Sequence, residues 1–136
     1  MIIFMKIDFI KPNINKGDIK RMVKSVESGW LVPDKYNEKL EHDLSLHIGK
    51  PAIVVNSCTA ALHTALILAG VGEGDEVITT PLSWVATANV ILYQKAKVVF
   101  ADVDALTGLV DIEEIKKKIT EKTKAIVVVN LYGQRF

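Results

Sequence analysis

Four short strand-like runs, Ala52–Val55, Glu76–Thr79, Val98–Ala101 and Ala125–Val129, alternate with stretches of helical spacing, and this order limits the fold more tightly than anything else in the chain. Runs this short and apolar suit strands of a parallel sheet covered on both faces. Between them the Ala- and Leu-rich segment Thr59–Ala69, stopped by Gly70, reads as a helix, as do Ser83–Tyr93 and the segment that Asp111 opens towards Ile119. Two helices come first. Asn15–Glu27 carries Ile19, Met22, Val23 and Val26 at helical spacing, with Gly29 at the stop position. A second helix opens at Pro33-Asp34, shows a stripe of Tyr36, Leu40, Leu44 and Ile48, and ends at Gly49. The whole predicts an α/β fold with a mostly parallel sheet flanked by helices and right-handed crossovers. Residues 1–50 form a helical segment and residues 51–136 a partial α/β domain. The last strand runs into Asn130–Gln134 with no helix after it to cover the sheet, so the domain reads as truncated.

Composition narrows the class. The 136 residues suffice for one core, and 49% hydrophobic with 24% charged residues is the balance of a soluble globular protein. Lys+Arg at 17 against Asp+Glu at 16 gives a net charge of +1, which supplies no attraction for nucleic acid. Lys116-Lys117-Lys118 reads as the solvated face of a helix. With Cys58 as the single cysteine there is no internal disulfide, and a reducing cytoplasm is the expected compartment. Met1–Met5 is apolar but is followed by Lys6 and Asp8, too short for a signal peptide or a membrane span, and Met5 is an alternative start.

Two strand-to-helix turns carry the chemistry. In Asn56-Ser57-Cys58-Thr59-Ala60-Ala61, small polar residues lead straight into a helix. The free N–H groups of a first helical turn attract anions, and Ser57 and Thr59 add hydroxyl donors. The competing account is a plain N-cap at Ser57 or Thr59. In Thr79–Asn89, Trp84 follows the next strand, either flat against a planar ligand held by the first turn or packed in the core. Gly29-Trp30-Leu31 forms a loop between the first helices, suited to a ligand or to a hydrophobic anchor. His42, His47 and His63 read as surface residues, since the first two miss helical metal-site spacing. Asp102 and Asp104 read as closing the loop at Thr107-Gly108. No metal site and no dinucleotide or Walker glycine pattern is found.

Taken together, six segments resemble the DegT/DnrJ/EryC1/StrS family of pyridoxal-phosphate (PLP) sugar-nucleotide aminotransferases. They are Ser28–Leu31, Asn56–Leu62, Gly72–Pro81, Ser83–Asn89, Thr123–Ile126 and Leu131–Gln134, in the family's order. The resemblance implies the N-terminal part of the type I aminotransferase large domain, acting in a homodimer. It implies that Thr59 and Ala60 donate to the PLP phosphate, that Ser57 and Cys58 line the same turn, and that Trp84 stacks on the pyridine ring. Gly29, Trp30 and Leu31 would lie near the sugar nucleotide. It further implies amino transfer, with glutamate as donor and a keto-sugar nucleotide as acceptor, in cell-surface polysaccharide or secondary-metabolite sugar synthesis.

Three departures qualify it. The family's pyridine-nitrogen Asp, phosphate Ser and Schiff-base Lys follow the Leu-Tyr-Gly-Gln segment and have no counterpart here. Lys95, Lys97 and Lys124 do not match that lysine, so no catalytic residue is assigned and the chain alone is expected to be inactive. Arg135-Phe136 departs from the small and acidic residues expected after Gln134, Asn130 stands where many members have His, and Val32-Pro33-Asp34 lacks a common Gly. The alternatives are a non-catalytic module for a phosphorylated ligand, or one half of a split enzyme.

Overall fold

The computed structural model describes residues 11–33 and 35–135. Met1–Met5, the role of Asp34 in opening the second helix, and Phe136 lie outside these residues. The chain divides into two compact units, one up to Val54 and one from Val55 onward.

The first unit holds α1 (Lys16–Glu27) and α2 (Lys35–Ile48). Asn15 caps α1 by accepting from Gly17 and Asp18 N–H, while the Asp18 carboxylate accepts from Asn15 N–H in return. Gly29 and Gly49 take φ of +69° and +68°, the left-handed turn that ends each helix at low cost only in glycine. Neither helix buries a residue among those described.

Ala52–Val55 is not a strand here, contrary to the reading of its apolar run. Its alternate N–H groups are taken by α2 instead. Ala52 donates to Ser45 Oγ at 2.9 Å and Val54 to Glu41 Oε1 at 2.8 Å. No described strand pairs with the segment, and Ile53 stays 84% exposed.

The second unit is α3 (Cys58–Leu68), β1 (Glu76–Thr79), α4 (Ala86–Tyr93), β2 (Lys97–Phe100), α5 (Ile112–Lys118), β3 (Thr123–Val127) and the short helical turn Leu131–Gly133. The strands form a parallel sheet in the order β2-β1-β3. Because β1 is central it is buried along its whole length, and its alternation divides the core. Val77 faces Leu66, Val90 and Ile91 of α3 and α4, while Ile78 faces Ala101, Val110 and Ile115 on the α5 side. Helix α4 begins at Ala86, three residues later than the pattern suggests. Ser83 Oγ instead donates to the Thr87 hydroxyl and the Trp84 carbonyl, and Val85 caps the helix with no side-chain bond. Strand β3 starts and ends two residues earlier than expected.

Opposite the candidate site, β1 begins with a Glu76 that is 8% exposed. Parallel register sets it beside Lys97, whose Nζ lies 2.8 Å from Oε1, and the Thr120 hydroxyl donates to Oε2 at 2.8 Å. The Lys97 ammonium, then the Thr120 hydroxyl, hold its carboxyl below the usual carboxylate range. A depressed folded value means the stabilisation is present above the unfolded value near ~4.3 and is lost as pH falls through the folded one. Glu76→Gln should therefore lower the melting midpoint at neutral pH and flatten its fall between neutral and acid pH. Thermal melts across that range check this, and parallel acid limbs for the two proteins would refute it.

Candidate functional site

The chain leaves β1 towards β2 on one side, then reverses across the sheet to reach β3 on the other side of β1. In open α/β sheets, ligands settle beyond the carboxyl ends of the strands where the winding reverses. Here that is the gap between the loop 80–85 after β1 and the loop 128–134 after β3. The Thr79 hydroxyl, buried, donates to the Val127 carbonyl at 2.8 Å and ties the two strand ends together below it.

Helix α3 packs beside α4 on one face, through Leu62 and Leu66 against Val90 and Ile91, with the His63 and Tyr93 rings edge-on at 5.6 Å. His63 is thus half-buried, a packing residue and not the surface residue its sequence suggests, whereas His42 and His47 are exposed. Both helices run back towards the strands they feed, so their first turns open at the carboxyl edge. There Ser57 is the N-cap, and its Oγ accepts from Ala60 N–H at 3.1 Å. Cys58 and Thr59 N–H have no acceptor among the described residues, nor does the Thr59 hydroxyl. Two backbone donors and a hydroxyl, with the helix dipole behind them, are the set that holds a phosphate group. Ser57 thus acts as the N-cap by satisfying Ala60, and the two preceding N–H groups remain open.

Trp84 is 81% exposed at the same edge, so it is no core residue of this unit. Gly29, Trp30 and Leu31 belong to the other unit, where Trp30 and Leu31 line an open cleft of about 340 Å3 with Ser25, Pro33, Tyr36 and Asn37. A second cleft, between Pro81, Phe100, Asp102, Glu114 and Lys118, lies on the α5 side of the sheet. Asp104 closes its own loop, as its sequence suggests, by accepting from Leu106 N–H, Thr107 N–H and the Thr107 hydroxyl. Tyr132 lies in the resembling segment Leu131–Gln134, but its sequence assigns it no role of its own. It is 85% exposed at the reversal gap with φ of +53°, a conformation a bulky residue seldom adopts, and Gly133 beside it is the only local signal.

The lysines nearest to suspicion sit at the far edge of the sheet. Lys95 forms the turn before β2, Lys97 pairs with Glu76, and Lys124 Nζ lies over Gly70 at the end of α3. No group of three or more potential metal ligands occurs among the described residues, and none of their helices is long and apolar enough to cross a membrane.

Comparison with known proteins bears on this arrangement. The model of the DegT/DnrJ/EryC1/StrS aminotransferase family matches residues 12–136. The chain is 43% identical over 124 residues to the spore coat polysaccharide biosynthesis protein SpsC of Bacillus subtilis, covering 90% of this chain and 32% of SpsC. It is 39% identical to a UDP-4-amino-4-deoxy-L-arabinose–oxoglutarate aminotransferase of Shewanella sediminis, again over 90% of this chain and 32% of that one. Among solved structures, the PMP form of Spr1654 from Streptococcus pneumoniae superposes with a TM-score of 0.88 at 37% identity, over 97% of this chain and 34% of that one. The chain thus spans about a third of the length of the relatives it matches.

Proposed function

Because this chain belongs to the DegT/DnrJ/EryC1/StrS aminotransferase family, we propose that it supplies the cofactor-phosphate part of a PLP-dependent enzyme that aminates a keto-sugar nucleotide. Glutamate is the donor in this reading, in keeping with the oxoglutarate in the name of the Shewanella relative. The product serves polysaccharide or related sugar synthesis, and the complete enzyme is a cytoplasmic homodimer. The observation that carries the reading is the unpaired Cys58 and Thr59 N–H pair at the carboxyl edge of a sheet whose connecting loop exposes Trp84. When bound, PLP supplies an electron sink through which an amino group passes between donor and acceptor. The chain's own work is to hold that group. Cys58 and Thr59 N–H and the Thr59 hydroxyl receive the phosphate, Ala60 joins them when Ser57 releases it, and Trp84 covers one face of the ring. Gly29, Trp30 and Leu31 border the sugar nucleotide.

Nothing in these 136 residues is assigned to move a proton at the reacting carbon. The chain alone is accordingly proposed to bind weakly and not to turn over. Pyridoxamine 5′-phosphate, which has no aldehyde to react with surface lysines, is the probe. In a Trp30→Phe background it should quench Trp84 emission and slow thiol modification of Cys58, while pyridoxamine without the phosphate should do neither. Glutamate, PLP and a keto-sugar nucleotide should give no amino sugar. Equal effects of the two pyridoxamines would remove the phosphate reading. Turnover abolished by replacing one lysine of this chain would remove the proposed inactivity.

A further inference from the structure

Three loops leave the carboxyl edge of the sheet, and the one after β2 is the most tightly built. Val103 and Val110 bridge its two arms, and Asp104 accepts three bonds from Leu106 and Thr107. Asp104 N–H donates to the Leu109 carbonyl at 2.9 Å, and Gly108 N–H to the Asp104 carbonyl at 2.8 Å. Two of its contacts reach the neighbouring loops. Gln134 Nε2 donates to the Thr107 carbonyl at 3.2 Å, which holds the loop after β3. The other is at Gly108, with φ of +70°. A Cβ built there would lie 3.3 Å from Leu82 Cδ2 and 3.5 Å from Leu131 Cδ2. Leu82, whose N–H is held by the Thr80 hydroxyl at 3.1 Å, is two residues from Trp84. Leu131 adjoins Tyr132. Both leucines therefore close over one bare Cα, one from each loop that flanks the reversal gap.

We propose that Gly108 is a positioning residue, which lets Leu82 and Leu131 seat against the loop after β2 and so fixes the Trp84 loop relative to the Tyr132 loop. The inference rests on the reading that Trp84 faces the cofactor ring, since only then does its placement matter to the reaction. Glycine suits this position on two counts. The left-handed backbone strains any other residue, and a methyl group at 3.3 Å displaces Leu82 by a few tenths of an ångström.

The test needs no cofactor, so its failure is separate from failure of the PLP reading. In the Trp30→Phe background, Trp84 is the sole indole, and its fluorescence anisotropy is read well below the melting transition. Gly108→Ala, Leu82→Ala and Leu131→Ala should each lower that anisotropy, with far-UV circular dichroism unchanged. Leu82→Met, which keeps an apolar chain of similar length, should restore it, and Leu106→Ala on the same loop but 96% exposed should leave it at the parent value. A merely structural role for Gly108 would lower the melting midpoint and leave the indole of the folded protein unmoved. Should Gly108→Ala fail to fold, the two leucine variants decide. Parent anisotropy in both folded leucine variants overturns the proposal.

Discussion

Ile78→Ala is expected to cost the second unit about 2–5 kcal/mol, the range for removing a fully buried isoleucine from a packed core. Ile78 is wholly buried in the central strand and packs against Ala101, Val110 and Ile115, with Val99 and Val128 at the margin. The covering α5 has only seven residues, and its one buried side chain is Ile115. Little can collapse into the space, so the upper half of the range applies. Domains are stable by roughly 0.05–0.15 kcal/mol per residue, or about 4–12 kcal/mol for the residues from 55 onward, so this loss takes a large part of the whole. At about 4–8 °C per kcal/mol the melting midpoint should fall by roughly 14–40 °C. Ile78→Val, which deletes one methyl, should cost about 0.5–1.5 kcal/mol. Leu106→Ala, at 96% exposure, should cost less than about 0.5 kcal/mol. Differential calorimetry of the three variants checks the order. A midpoint for Ile78→Ala within a few degrees of the Leu106→Ala value would contradict the core assigned to β1.

The parts of this fold that were legible in sequence are those set by local rules. Gly29, Gly49 and Gly70 end helices because each must take a positive φ, and the chain provides glycine at each such point. Glu76–Thr79 is legible to the residue because Gly74-Asp75 and Thr80-Pro81 bracket it with turn formers. What stayed hidden depends on partners remote in sequence. Glu76 reads as an ordinary strand-end carboxylate until register brings Lys97 beside it, and Thr120 reaches it from 44 residues away. Ala52–Val55 has the composition of a buried strand, but a strand exists only where another backbone meets it, and here Ser45 and Glu41 take its N–H groups. The candidate site divides in the same way. The capped turn at Ser57–Thr59, with its two open N–H groups, follows from small polar residues opening a helix, and the exposure of Trp84 follows from its place in a loop. The convergence of Leu82 and Leu131 on Gly108 leaves no mark in either segment.

Thr59→Ala separates the two accounts of the turn that sequence leaves open, because the loss of a cap lowers stability whereas the loss of a phosphate donor lowers binding. Thr59 is the second residue of α3 and caps nothing, since Ser57 holds that role. Alanine has the higher helix propensity, by up to about 0.7 kcal/mol, so the substitution should leave the unit as stable as before or slightly more so. The phosphate should notice the change. A hydrogen bond to a charged group contributes about 1.5–3 kcal/mol, and its loss weakens binding by roughly tenfold to a hundredfold. Thr59→Ser keeps the hydroxyl and should bind nearly as the parent does, while Thr59→Val keeps the shape without the hydroxyl and should match alanine. Titration with pyridoxamine 5′-phosphate, read by Trp84 emission in the Trp30→Phe background, supplies the affinities, and a melt of each variant supplies the stabilities. Because the predicted loss of binding comes with no loss of stability, unfolding cannot imitate it. Equal affinities for the threonine, serine, valine and alanine forms would leave Ser57 as a helix cap and nothing more.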